Sequence, residues 1–173
     1  MYHESIPRIR PRHESDITDA ATALVQVHAT DGYPVEGVRD PKAWLTPPGF
    51  IQAWIAEFDG RIVGHVAISR PRDEAAVSLW LEAGHGSEDK TAVLARLFVI
   101  RDARKRAVGE QLMRAASEYA NDIGIRLVLD VMAKDTAAIR LYERLGWQKL
   151  GLTTHDYGDG QHAEASCYVS PGA

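Results

Sequence analysis

Residues 93–113 read VLARLFVIRDARKRAVGEQLM, and this stretch carries the strongest fold signal in the chain. Its first part, residues 93–100, is almost continuously apolar, which is typical of a strand that is buried on both faces of a sheet. A short basic loop follows, and residues 109–123 then carry apolar side chains at intervals of three and four, as an amphipathic helix does. A buried strand that passes through a loop directly into a helix predicts the first half of a strand–helix–strand crossover.

The loop between this strand and this helix combines three features that suit a bound phosphate. The first N–H groups of a helix have no partners within the helix, and the helix dipole adds positive charge there. The small residues Ala107 and Gly109 allow a ligand to approach the backbone closely. The pattern therefore predicts a phosphate or diphosphate site, with a solvated basic turn as the structural alternative. The basic residues around it are Arg101, Arg104, Lys105 and Arg106.

The rest of the chain supplies strands and helices in a mixed order. Residues 76–81 fit either a strand or a short helix, and Asp59-Gly60 is a strong signal for a tight hairpin. Tight hairpins together with two crossovers predict an α/β (α+β) domain, whose mixed, mostly antiparallel sheet of roughly six to seven strands is flanked by about four helices. The predicted strands are 6–11, 50–58, 62–69, 93–100, 127–132, 147–155 and 162–169, and the predicted helices are 17–29, 43–45, 109–123 and 136–145. Ser15 or Asp16 is the expected cap of the first helix, and Asp135 of the last.

Composition places the chain among ordinary globular proteins. Its 173 residues are 45% hydrophobic and 25% charged, which suits a single domain over residues 1–173. A formal net charge of −4 argues against a general nucleic-acid binder. No apolar run reaches about 18 residues and the N-terminus has no apolar signal region, so we expect a cytoplasmic protein with no membrane partner.

Residue counts also limit the chemistry. Cys167 is the one cysteine, which excludes an internal disulfide and a cysteine-based zinc site. The seven histidines show no ligand spacing such as HExxH, so we expect no metal. The phosphate motifs GxxxxGK[ST] and, after the first strand, GxGxxG are both missing, which sets aside the P-loop and the dinucleotide fold.

Two motifs in the second half of the chain resemble those of the GNAT superfamily of acyl-CoA-dependent N-acyltransferases. The diphosphate loop of that family follows [QR]xxGx[GA], and residues 104–109 read RKRAVG, with Ala107 where glycine is usual. The family's second motif is NxxAxxxYxxxG[FW], and residues 135–147 read DTAAIRLYERLGW, with Asp135 where asparagine is usual. Both motifs occur in the family's order within residues 94–150, so the resemblance implies a GNAT-like fold with acetyl-CoA as co-substrate.

The resemblance also implies where acetyl-CoA binds. Its pantetheine pairs with the backbone of the central strand, its diphosphate lies on the amides that open the next helix, and the second motif adds further contacts. Ordinary core packing is the alternative for the side chains of residues 97–99, and helix capping is the alternative for Asp135. The implied cofactor-binding residues are Leu97, Phe98, Val99, Arg104, Lys105, Arg106, Ala107, Val108, Gly109, Glu110, Asp135, Ala138 and Tyr142.

Tyr142 is the catalytic residue that the resemblance implies. Aminolysis of a thioester expels a thiolate, and a phenol with an ordinary pKa of about 10 is protonated at neutral pH and can donate the proton. The spacing of Tyr142 from Ala138, Leu141 and Leu145 fits an apolar helix stripe equally well, so core packing is the alternative.

The sequence does not single out a general base. An amine acceptor must lose a proton before it attacks, and many relatives carry glutamate where this chain has Val93. The possible substitutes are Glu82, His85, Asp130, Glu164 and an ordered water.

The sequence therefore predicts an N-acetyltransferase that moves an acetyl group from acetyl-CoA directly to a primary amine, either of a small molecule or of a peptide. Tyr33, Trp44 and Trp80 lie in segments that border the acceptor in relatives, although core packing also explains them. Three alternatives stay open: transfer of a different acyl group, a CoA-binding sensor or partner-binding module without catalysis, and an unrelated nucleotide-phosphate binder. The oligomeric state also stays open, with a homodimer as one option.

Overall fold

The computed structural model describes residues 6–34, 37–84, 86–158 and 160–172. The strands are β1 (Arg8–Pro11), β2 (Phe50–Phe58), β3 (Arg61–Ser69), β4 (Thr91–Val99), β5 (Arg126–Met132), β6 (Gln148–Gly158) and β7 (Gln161–Val169). The helices are α1 (Ile17–Asp31), α2 (Pro41–Leu45), α3 (Ala75–Glu82), α4 (Val108–Asp122) and α5 (Thr136–Arg144), with 3-10 turns at Glu14–Asp16, Glu88–Lys90 and Arg101–Arg106. None of these helices combines the length and the apolar character that crossing a membrane requires.

The predicted fold class is confirmed. Seven strands form one sheet in the order β1-β2-β3-β4-β5-β7-β6. The pair β4–β5 is parallel, whereas β1–β2, β5–β7 and β6–β7 are antiparallel. The described residues hold five α-helices, one more than expected, because the ambiguous segment forms α3. Its buried residues Ala76, Val77 and Trp80 recur at the spacing of a helix face.

The described residues divide into two compact units, and β4 contributes to both. Unit 1 holds those of Met1–Ile68 and Arg96–Ala116, which include α1, α2, β1 to β3, the end of β4 and the start of α4. Unit 2 holds those of Ser69–Ala95 and Ser117–Ala173, which include α3, β5 to β7 and α5. A single domain over residues 1–173 stays a prediction.

The start of α1 in unit 1 differs from the sequence prediction. Asp16 precedes α1, but its side chain makes no capping hydrogen bond to that helix. Instead, its carboxylate accepts two hydrogen bonds of 2.8 Å from the Arg10 guanidinium and one of 2.7 Å from the His13 backbone N–H. The hydrogen bond with Arg10 is the main reason why the pKa of Asp16 is lowered to about 2. Pairing with Arg10 on β1 therefore replaces the predicted cap.

Glycines are required at two positions in unit 1, one in the turn between β2 and β3 and one where α4 packs on β3. The predicted hairpin between β2 and β3 is confirmed, since Asp59 and Gly60 have φ angles of 51° and 74°, as its tight turn requires. On β3, a Cβ atom at Gly64 would lie 3.0 Å from side-chain atoms of both Val108 and Leu112. Gly64 thus allows the first turns of α4 to pack directly on β3.

The core of unit 2 forms where α3 packs against the sheet. Trp80 and Val77 of α3 are buried in one cluster with Val128 of β5 and Cys167 of β7. The cluster also contains Val93 in the first half of β4, where residues 91–94 are all buried as predicted, whereas residues 95–97 and 99 are half-buried.

Candidate active site

The backbone of β4 departs from a regular strand at Arg96. Its φ angle of 58° is left-handed, a conformation that a residue with a long side chain rarely adopts and that marks a local bulge. Parallel pairing between β4 and β5 comprises three residue pairs, of which Val93 and Val128 form the last. The ladder therefore stops before the bulge.

A buried histidine on β3 lies against this bulge. The His65 side chain is 0% exposed, with Nδ1 2.9 Å from the Arg96 carbonyl oxygen and Nε2 2.9 Å from Nη1 of Arg12. Because a carbonyl oxygen only accepts and a guanidinium only donates, Nδ1 carries the ring proton and Nε2 accepts. Burial lowers the pKa of His65 to about 3, so the imidazole is neutral at physiological pH. We call Arg12, His65 and Arg96 the His65 cluster.

The arginines of the His65 cluster have further partners in unit 1. Arg12 donates through Nη1 to the Leu45 carbonyl oxygen at 2.7 Å. Arg96 donates through Nε to the Trp44 carbonyl oxygen at 3.0 Å, and its guanidinium lies 4.4 Å from the centre of the Trp44 ring. These contacts fix both arginines to the segment around α2.

No sequence motif singles out the His65 cluster, because the histidines show no metal-ligand spacing. Among the described residues, no group of three or more His, Cys, Asp or Glu side chains is placed to hold a metal ion. The available signal was an ionisable residue inside the apolar strand RIVGHVAIS, residues 61–69. A polar side chain in such a run needs a buried hydrogen-bond partner.

The basic loop after β4 is folded back on unit 1. Arg104 donates to the Val99 carbonyl oxygen at 3.2 Å from Nε and 3.1 Å from Nη2, and it pairs with Asp31 at the end of α1. Arg101 also pairs with Asp31, at 3.2 Å. The Arg106 guanidinium lies 4.2 Å from the centre of the Phe58 ring. Arg101 and Arg104 thus shape the loop, and direct contact of Arg104 with a phosphate stays a prediction.

The helix α4 begins at Val108, one residue before the predicted start at Gly109. Ala107 precedes the helix with a left-handed φ of 58°. The hydrogen bond from the Gln111 N–H to the Ala107 carbonyl oxygen, 3.0 Å long, leaves the N–H groups of residues 108–110 ahead of the helical ladder. Val108 is buried, whereas Gly109 and Glu110 are half-buried and Lys105 is exposed. The left-handed turn gives a physical reason for the glycine that the family pattern has at position 107.

Ala107→Gly should leave stability unchanged or raise it slightly. A Cβ atom in a left-handed turn costs about 1 kcal/mol, which glycine relieves, although glycine also loses more chain entropy on folding. Affinity for acetyl-CoA should be equal or higher because the methyl group is removed. Urea denaturation and calorimetric titration measure both quantities. Ala107→Val is the control that should destabilise, and a marked loss of stability in the glycine variant would contradict the assigned backbone geometry.

Tyr142 lies on the buried side of α5 in unit 2. It is 6% exposed, and the ring centres of Trp147 and Tyr168 lie 6.1 and 6.2 Å from its own. Burial, followed by the nearby Asp135 carboxylate, raises the pKa of Tyr142 above its ordinary value of 10.0. The phenol therefore stays protonated at neutral pH, as a general acid must.

Asp135 takes the predicted position before α5 but does not cap the helix with its side chain. Its carbonyl oxygen accepts the first helical hydrogen bond, 3.0 Å long, from the Ile139 N–H. The side chain makes no capping bond, because the ψ angle of 66° lies outside the extended range that aims a capping group at the first turn. Burial raises the pKa of Asp135, opposed by the charge of Lys134. Ala138, one turn later, is half-buried.

The candidate general bases lie on several elements, and geometry selects none of them. Val93 is buried and apolar, at 5% exposure. Asp130 accepts hydrogen bonds from the Ala76 backbone N–H at 3.0 Å and from the Cys167 thiol at 3.4 Å. Glu82 ends α3, Glu164 is exposed on β7, and His85 lies outside the described residues.

Cys167 has the properties of a structural thiol. It is fully buried on β7, and burial, then the neighbouring Asp130, raises its pKa to about 12. A thiol that stays protonated is a poor nucleophile. This agrees with direct attack by the amine, without an acyl-cysteine intermediate.

The aromatic residues expected to border the acceptor fall into two groups. In unit 1, the rings of Tyr33 and Trp44 meet edge to face, with centres 5.8 Å apart, and Phe98 lies 6.2 Å beyond Trp44. Trp80 belongs to the core cluster of unit 2. Core packing therefore accounts for Trp80, whereas Tyr33 and Trp44 are only half-buried.

Comparison with known proteins agrees with the motifs. Residues 18–147 match the sequence model of the Acetyltransferase (GNAT) family. A Xenopus tropicalis protein named Probable N-acetyltransferase camello is 32% identical over 97 residues, which are 56% of this chain and only 38% of that protein. The N-alpha-acetyltransferase of Sulfurisphaera tokodaii is 25% identical over 118 residues, or 64% of each chain.

Solved structures share the fold. Arabidopsis thaliana NAA60 in complex with acetyl-CoA aligns with a TM-score of 0.71 and 22% identity, over 94% of this chain and 97% of that one. At this identity the likeness shows the fold alone.

Proposed function

Because the chain belongs to the GNAT acetyltransferase family, we propose that it transfers an acetyl group from acetyl-CoA directly to a primary amine. The observation that carries the proposal is the family match, which spans both motifs. The amine nitrogen attacks the thioester carbonyl carbon, the carbon–sulfur bond breaks, and the thiolate of CoA leaves. The amine gives up a proton and the thiolate takes one, so the products are an amide and free CoA.

Unit 1 supplies groups that fit acetyl-CoA. The N–H groups of residues 108–110, together with Lys105 and Arg106 on the preceding loop, suit a diphosphate by charge and by hydrogen bonding. The backbone of Leu97–Val99 suits the amides of pantetheine, which can pair with it as an added strand does. The end of the β4–β5 ladder at Val93 supports this assignment, because that ladder does not occupy the backbone of Leu97–Val99. The Val99 carbonyl oxygen already accepts from Arg104, so Val99 would contact pantetheine through its N–H group.

Unit 2 supplies the proposed general acid. We propose that the Tyr142 hydroxyl donates the proton to the leaving thiolate, because Tyr142 occupies the tyrosine position of the family's second motif and its hydroxyl is protonated at neutral pH. Asp135 and Ala138 complete the proposed cofactor contacts on α5. The acceptor is a small-molecule or peptide amine, and a cytoplasmic location and a homodimer stay expectations.

An assay with a panel of amines tests the proposal. The purified chain is mixed with acetyl-CoA and with small amines, peptides with a free N-terminus, or peptides whose one amine is a lysine side chain. We expect CoA and an acetylated product in equal amounts with at least one class, detected by thiol release and mass spectrometry.

A CoA-binding sensor without catalysis is the second candidate, favoured by the buried Val93 where relatives carry a catalytic glutamate. Sensor function predicts CoA binding with no acetylated product from any amine and no enzyme-dependent hydrolysis of acetyl-CoA. That outcome would overturn the transferase proposal.

A further inference from the structure

We infer that His65 is a positioning residue for acetyl-CoA, because its imidazole holds the bulge at Arg96 and thereby orients the backbone of Leu97–Val99. The inference rests on the proposed function, since it concerns the strand that is proposed to pair with pantetheine. It assigns a task to a buried group that the chemistry of acetyl transfer does not use.

The peptide group between Arg96 and Leu97 links His65 to the backbone that is proposed to bind pantetheine. The Arg96 carbonyl and the Leu97 N–H belong to the same planar, trans peptide group, so they point in opposite directions. His65 Nδ1 lies 2.9 Å from that carbonyl oxygen and fixes the carbonyl toward β3. The Leu97 N–H is therefore directed away from β3, and the strand segment after it follows the same alternation.

Arg12 and Phe98 hold the imidazole of His65 in place. Arg12 donates to Nε2, which forces the proton onto Nδ1 and makes His65 a permanent donor to Arg96. Phe98 stacks on the imidazole at 5.3 Å and an angle of 12°, which restricts rotation of the ring. Arg12 is held in turn by the Leu45 carbonyl oxygen. The ring thus has one tautomer and one orientation.

The left-handed conformation of Arg96 at the bulge needs stabilising contacts from neighbouring residues. A left-handed φ is unfavourable for arginine, so the surrounding contacts must hold Arg96 in this conformation. Three contacts do so: the His65 hydrogen bond to its carbonyl group comes first, and its side chain adds a hydrogen bond to the Trp44 carbonyl oxygen and a contact with the Trp44 ring. Only the first acts directly on the peptide group that leads into Leu97.

Two amide variants of His65 separate its hydrogen bond to Arg96, which is proposed to orient the strand, from its hydrogen bond to Arg12. His65→Asn places a side-chain N–H near the former Nδ1, so it keeps a donor for Arg96 and loses the acceptor for Arg12. His65→Gln places its amide near the former Nε2, so it keeps an acceptor for Arg12 and loses the donor for Arg96. Calorimetric titration then measures binding of acetyl-CoA and of 3′-phospho-ADP, the nucleotide half of CoA without pantetheine.

His65→Gln should raise the Kd for acetyl-CoA about tenfold, while His65→Asn stays within about threefold of wild type. Neither variant should change the Kd for 3′-phospho-ADP by more than about twofold, because the arginines of the basic loop contact Asp31, Val99 and Phe58, which lie outside the His65 cluster. Thermal unfolding is the stability control: each variant loses one hydrogen bond of the imidazole, so both should unfold at a lower temperature than wild type, whereas only His65→Gln should lose acetyl-CoA affinity.

The outcomes are distinguishable from a failure of the proposed function. If wild type binds neither ligand, the proposed function fails. If wild type binds both and the two variants lose acetyl-CoA affinity equally, or neither loses it, His65 is a packing residue and the inference is overturned. Should His65→Asn not fold, the ratio of the two Kd values in His65→Gln still decides, since an unchanged ratio overturns the inference.

Discussion

Replacing Tyr142 by phenylalanine should lower kcat for acetyl transfer by roughly 10²–10⁴-fold, the usual contribution of a general acid. That range equals about 3–5 kcal/mol in the activation barrier. The phenyl ring fills the same space beside Trp147 and Tyr168, so the fold and the Kd for acetyl-CoA should change little. The measurement is single-turnover kinetics, in which chemistry limits the rate.

A dependence on the leaving group makes this prediction specific. With an acyl donor whose thiol is more acidic, the thiolate leaves without a proton, so the difference between wild type and Tyr142→Phe should shrink. Poor folding would lower the rate with every donor alike.

Tyr168→Phe is the matched control. Tyr168 is also a buried phenol, and its hydroxyl donates to the Glu143 carboxylate at 2.8 Å. Its loss should lower stability by about 0.5–1.5 kcal/mol, because Glu143 is exposed and water can replace the lost donor, and kcat should stay near wild type. A Tyr142→Phe enzyme with wild-type turnover would reduce Tyr142 to a core residue of α5.

Gly109→Val should raise the Kd for CoA by at least about tenfold, or 1.4 kcal/mol. A branched side chain at this position would keep the diphosphate away from the N–H groups at the start of α4. Valine forms helix no worse than glycine, so the variant should fold. Calorimetric titration with CoA measures the effect.

Ala115→Val is the control for Gly109→Val. Ala115 lies further along α4 and is half-buried, so valine there changes the helix without touching the proposed site. Its CoA affinity should match wild type. Equal affinities for wild type and Gly109→Val would mean that the diphosphate binds elsewhere.

Local patterns explain why much of the fold could be predicted. The β4–loop–α4 unit follows from hydrophobic periodicity, and the β2–β3 hairpin follows from the left-handed preference of Asp59-Gly60. The helix α3 stayed ambiguous because eight mostly apolar residues show too few turns to separate a helix from a buried strand. In these cases neighbouring residues carry the information.

Contacts between distant residues explain what could not be predicted. The expected cap at Asp16 is absent because Arg10 competes for the carboxylate. The partners of His65 are 53 and 31 residues away in sequence, at Arg12 and Arg96, so no local pattern reveals them. The left-handed φ of Arg96 could not be predicted from sequence either, because arginine has no preference for that conformation.

Stabilisation of the wild-type chain by CoA is the direct test of the proposal that this chain binds acetyl-CoA. At a CoA concentration about 100-fold above its Kd, the free energy of unfolding should rise by roughly 2.7 kcal/mol, whereas adenosine without phosphates should have far less effect. Thermal unfolding with and without each ligand measures this difference. We expect a clear rise in Tm with CoA, and an unchanged Tm at millimolar CoA would contradict the proposal that the chain binds acetyl-CoA.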